Sequence, residues 1–176
     1  VHLPIAGVAF VPVLIGWPLV LLPAHIAFLE LIIDPACAIA FEAEPEEADL
    51  MRRPPRARGD TPYGLRALVP SALLGLIALA ACLAVLLYAR AMALDAEATR
   101  AAVFTTLVLG NLALIGAHRT RVRHVAGKRN PALWWIVAGS LACLAAALYW
   151  PALGRLFRFV APAPQTWPAS TPCFRR

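Results

Sequence analysis

Glu30 and Asp34 stand four residues apart in the run HIAFLELIIDPACAIAF, which is otherwise almost wholly apolar, and Pro35 follows the second acid directly. A carboxylate in mid-bilayer costs about 2.5 to 3.5 kcal/mol on insertion scales, so such a residue ordinarily faces a cavity, a partner or a passing ion. In an α-helix, residues four apart lie one turn along the same face, so a single cation can touch both acids. Pro35 has no amide hydrogen to give the carbonyl of Leu31, and its ring pushes that carbonyl aside, leaving an unpaired oxygen between the two acids. Carboxylates and freed carbonyls together form an oxygen-only ligand set, which favours hard cations or protons over soft metals. Calcium, magnesium, manganese, sodium and protons all satisfy it. The competing reading is a kinked packing helix whose acids are protonated or paired with polar groups on neighbouring helices. Ion contact is preferred.

The other polar residues within apolar sequence carry less. Pro4 and Pro12 lie in the preceding segment, and Pro12 frees the carbonyl of Val8 if that region is helical, offering further oxygen ligands. His2 and His25 are read first as hydrogen-bonded packing or interface residues and only second as members of a site. Asn111, mid-span in TTLVLGNLALIG, either bonds across a helix interface or offers its amide oxygen to an ion. The acidic run from Glu42 to Asp49 reads as a solvated loop face that in the minority case gathers cations near a pathway entrance. Cys37, Cys82, Cys143 and Cys173 show no CxxC or Cys/His spacing for a metal or redox site, and read as small packing residues.

The elements that must position these groups are membrane spans. The chain has 176 residues, 61% of them hydrophobic, and a mean hydropathy of +0.71, which excludes an ordinary soluble globular domain. A net charge of +6 raises nucleic acid as a partner, but the Lys and Arg residues lie between apolar segments, as in the cytoplasmic loops of a membrane protein, so no nucleic-acid partner is expected. The expected fold is an all-α polytopic membrane helix bundle of about five segments, at 1–17, 23–41, 67–88, 101–117 and 131–150. The first falls short of the roughly 20 residues a span needs, so its N-terminal part is expected to be missing. Gly16-Trp17-Pro18 turns the first two segments into a hairpin. The loops 42–66 and 118–130 hold most of the arginines and are expected on the cytoplasmic side, whereas the links between them carry little positive charge. Residues 160–176 are Pro-rich and expected to be disordered.

The stretch LELIIDPACAIAFEAEPEEADLMRRPPR resembles the sixth transmembrane helix and following cytoplasmic loop of P-type cation-transporting ATPases, particularly bacterial pumps of the calcium-ATPase-like group. The order of spans from Val1 to Trp150 is similar to that family's fifth to ninth transmembrane helices; the proline-rich tail departs from it, and the expected tenth helix is absent.

The resemblance implies the C-terminal membrane part, 1–159, of an ATP-driven pump in the inner (plasma) membrane. The transported cation would lie among the fourth, fifth, sixth and eighth helices, and the partners would be the remaining helices and cytoplasmic domains of that pump and the lipid bilayer. Glu30 and Asp34 fall where such pumps place sixth-helix ligands. Glu30 replaces the asparagine and Ile33 a threonine of calcium pumps, His2 stands near the fifth-helix asparagine, Ile5 at its glutamate, and Val108 at the eighth-helix acid, with Asn111 nearby. The parent pump would use ATP and Mg2+. This sequence has no DKTG phosphorylation motif and no TGE, so the chain alone is expected neither to bind these cofactors nor to hydrolyse ATP. The alternative is a free-standing helical membrane interaction or remnant protein that moves no ion.

Overall fold

The computed structural model describes residues 2–43, 52, 64–121 and 131–159, and among these all regular structure is helical. The elements are α1 (His2–Leu14), α2 (Pro23–Phe28), a π-helical turn (Leu29–Ile33), α3 (Asp34–Glu42), α4 (Leu65–Ala91), α5 (Ala96–Arg121), α6 (Pro131–Tyr149) and α7 (Pro151–Phe157). The all-α membrane bundle expected from composition is what forms. Leu68–Ala91, Ala96–Ala117 and Pro131–Tyr149 are each long and apolar enough to cross a bilayer. The six residues of α2, five of the π turn and nine of α3 run on without interruption and together also reach a bilayer's thickness.

Both ends of α4 and of α5 differ from the expected ones. Residues 89–100 were read as a link, yet α4 continues to Ala91 and α5 begins at Ala96, leaving a connection of only a few residues. Charge is tolerated in these terminal turns because they lie at the ends of the spans, where Glu97 also suits the positive end of the α5 dipole. At its far end α5 extends through Arg121, so the first residues assigned to the loop 118–130 are helical, as are Leu65 and Arg66 of the loop 42–66. Most of both loops, and the tail 160–176, lie outside the described residues.

Helix ends are closed by the same backbone device three times. After α1, Gly16 takes φ +73°, and the amides of Gly16 and Trp17 donate to the carbonyls of Val13 and Pro12 at 3.0 and 2.8 Å. This paired closure satisfies carbonyls that have no partner inside the helix. Ala93 ends α4 and Arg158 ends α7 in the same left-handed conformation and with the same pattern. The first closure turns the chain into the α1–α2 hairpin that the Gly-Trp-Pro sequence implies.

α5 is the most enclosed of the long helices. It packs along α4 and also touches the π turn and α6, while α1 packs on α4. The α1–α4 contact is close because Gly7 receives the side chain of Leu79, and Gly75 in return faces Leu3. A Cβ at Gly75 would sit 3.4 Å from Leu3 Cβ, so small residues on both helices let the backbones approach, as is common between helices in lipid. The core consists of Ile5, Val8, Leu29, Leu86, Phe104, Leu107 and Val108 with their neighbours, and Cys82 is buried among them as a free thiol. Phe10, Leu14, Leu73, Ile77 and Leu87 point outward, as an apolar surface facing lipid requires. Trp134, Trp135, Tyr149 and Trp150 are exposed near the two ends of α6, as suits aromatic residues at a membrane interface.

Candidate functional site

Glu30 lies within the π turn, and Asp34 closes it by donating its amide to the carbonyl of Leu29, five residues back. The disturbance expected at Pro35 takes the form of a widened turn placed just before the proline. The physical reason is the same missing donor. Pro35 offers no N–H to Leu31 four residues back or to Glu30 five back, so the regular ladder loses nothing by widening immediately upstream. Leu29, which begins the turn, is fully buried, whereas the side chain of Leu31 is 77% exposed. Turns of this kind occur frequently at functional sites in helices.

The two acids share a face and gain a third member. The hairpin through Gly16 runs α1 back along the acidic helix and brings His2 against both carboxylates. His2 Nδ1 lies 4.0 Å from Glu30 Oε1, and His2 Nε2 lies 3.7 Å from Asp34 Oδ2. One donor atom from each of the three side chains can be chosen so that all lie within 4.8 Å of one another. These separations exceed hydrogen-bond length. They are short enough for the three groups to close around one small cation or proton-bearing species, since first-row and alkaline-earth cations sit about 2.0 to 2.6 Å from N and O ligands. Asp34 is the most sheltered of the three, with a side chain 33% exposed against 52% for Glu30 and 70% for His2.

His2, which the sequence reads first as a packing or interface residue, stands beside both acids. The signal was present. Folding the chain about Gly16–Pro18 sets a residue near position 2 opposite one near position 34. The proline-freed carbonyl expected at Val8 does not belong to the same place, because Val8 lies six residues from His2, about 9 Å along α1.

Asn111 is fully buried, and neither its Oδ1 nor its Nδ2 has a hydrogen-bond partner among the described residues. It does not bond to either carboxylate. It lies seven residues, two helical turns, beyond Phe104 on one stripe of α5. Phe104 meets Phe28, at the head of the π turn, with ring centroids 5.5 Å apart. α2–α3 and α5 are separated by the single crossing of α4 and so run in the same direction, which gives Asn111 the face of α5 turned toward the acidic helix.

His25 has the structural role preferred from sequence. It is fully buried, its Nδ1 accepts the Leu22 amide at 2.9 Å, and its Nε2 lies 2.9 Å from the Phe157 carbonyl oxygen. Because Nδ1 accepts, Nε2 carries the proton and donates it to Phe157. The ring stacks between aromatic neighbours, with Phe159 at 4.9 Å and Phe157 at 5.6 Å between centroids. His25 thus caps α7 from a helix 132 residues earlier and contributes nothing to the acidic cluster.

An all-α bundle with outward apolar faces and a carboxylate-bearing helix is a multi-pass membrane protein with polar groups held in its spans. Residues 18–173 match the family model described as cation transporting ATPase, C-terminus, and the chain belongs to that family. It is the C-terminal membrane domain of a cation-transporting ATPase, a kind of protein that works with further domains and with membrane lipid. No curated protein and no solved structure matches the chain.

Proposed function

We propose that this domain supplies part of the ion pathway of an ATP-driven P-type pump of the bacterial, calcium-ATPase-like group, and that Glu30 and Asp34 face the transported cation. The convergence of His2, Glu30 and Asp34 beside a π turn carries this reading. Two carboxylates and an imidazole on adjacent membrane helices are costly to insert, and a passing cation or proton offsets that cost when it occupies them. The Leu31 carbonyl, denied a donor by Pro35, and the unpartnered amide of Asn111 are further oxygen donors on the same route. The cargo is a hard cation, calcium among them, or a proton. ATP and Mg2+ act on other domains of the pump, since this chain has no DKTG sequence to accept a phosphoryl group. The surrounding bilayer is the plasma membrane, and the arginine-bearing loops 42–66 and 118–130 face the cytoplasm.

Asp34→Asn in the complete pump tests the assignment. The change removes one anionic ligand with little change of shape, and ion-dependent phosphorylation of the pump is expected to be lost. Unaltered ion dependence in that variant removes Asp34 from the pathway.

A further inference from the structure

At the end of the bundle opposite the loops 42–66 and 118–130, the α1–α2 turn meets the α4–α5 connection around a cavity of about 280 Å³. Its walls include Trp17, Leu19, Leu86, Arg90, Thr99 and Arg100. Neither arginine forms an ion pair with a carboxylate among the described residues. The Arg90 guanidinium lies over the Trp17 ring, 4.2 Å from its centroid. The ring face attracts the cation, and a guanidinium has more N–H donors than such a contact uses. Arg100 Nε is buried and has no hydrogen-bond partner among the described residues. A buried N–H of a charged group left without an acceptor is costly, and the exposed Arg90 guanidinium adds a second positive charge to the same walls, so the space favours an anion. Asp95 and Glu97, the acids of the same connection, are not among the walls.

We propose that this cavity binds a phosphoryl oxyanion, and that its occupant is the headgroup phosphate of an anionic phospholipid. Arg90 and Arg100 are the charged donors, the Thr99 hydroxyl a neutral one, and Trp17 the platform that holds Arg90 in place. Guanidinium groups match phosphate oxygens in geometry and charge. Free phosphate offers the same oxygens, but the remaining walls favour lipid. Leu19 is 57% exposed and continues the cavity onto the outer apolar surface, where an acyl chain attached to the bound headgroup would lie. The position at the ends of the spans is the depth at which headgroups occur.

Native mass spectrometry of the detergent-purified protein, titrated in separate arms with palmitoyl-oleoyl phosphatidylglycerol and with sodium phosphate, tests the proposal. One phosphatidylglycerol is expected to be retained per chain, and Arg90→Gln and Arg100→Gln are each expected to weaken it about tenfold, since each removes a charge-assisted contact. Arg100→Lys keeps the charge and is expected to restore part of the binding, and a melting profile recorded for each variant identifies any loss that comes from unfolding. Arg119→Gln, in the last turns of α5 at the other end of the bundle, is expected to bind as the unaltered protein does. Phosphate binding that depends on Arg90 and Arg100, with no retained lipid, supports the oxyanion site and assigns it to a free anion. The proposal is overturned if both glutamine variants bind lipid and phosphate as the unaltered protein does, or if Arg119→Gln weakens lipid binding equally.

Discussion

His2 Nε2 lies 3.7 Å from Asp34 Oδ2, linking the first turn of α1 to the residue that closes the π turn. A contact of this kind between helices that are neighbours in sequence requires only the hairpin at Gly16. It changes the chemistry available at the acidic helix, because an imidazole nitrogen now stands among the carboxylate oxygens.

His2→Gln in the complete pump is therefore expected to weaken ion affinity about tenfold, in the range found when groups beside a bound metal are altered. The side chain is 70% exposed in this chain, so the fold should survive the change. Ion-dependent phosphorylation together with a melting curve separates the two effects. An unchanged ion dependence would return His2 to a surface role.

Asn111 makes the opposite kind of test. Its buried amide has no partner among the described residues, so Asn111→Leu forfeits no hydrogen bond and removes a desolvated polar group. Thermal stability in detergent is expected to hold or to rise by about 1 kcal/mol. In the pump, the same variant is expected to bind its ion more weakly. A clear fall in stability would show that the amide is a packing residue with a partner of its own.

His25→Leu removes a ring with two hydrogen bonds and leaves the Leu22 amide and Phe157 carbonyl unpaired. A loss of about 2 kcal/mol or more is expected, because each buried group left alone costs on that order. The loss should be local to α7, which the ring holds against α2. Faster trypsin cleavage at Arg155 and Arg158 checks this, and cleavage at the unaltered rate would mean that the phenylalanine packing holds α7 by itself.

Much of this protein follows from properties that each segment carries alone. Transfer free energy is nearly additive along a helix, so the long apolar runs of α4, α5 and α6, the outward aromatic residues of α6 and the abnormality of Glu30 and Asp34 are all visible in the linear sequence. The disturbance at Pro35 is visible for the same reason, since a missing N–H is a local fact. The missing N–H permits the widened turn, and packing then holds it, with Leu29 buried in the core and α5 against the turn. The remaining features depend on which distant segments meet. His2 joins Asp34, His25 caps α7, and Arg90 lies over Trp17, and in each case the energy resides in a pair that exists only after folding. A hydrophobic pattern specifies that a face must be covered, but apolar burial has no direction and does not name the partner. Side-chain shape and hydrogen-bond geometry make that choice in the assembled bundle.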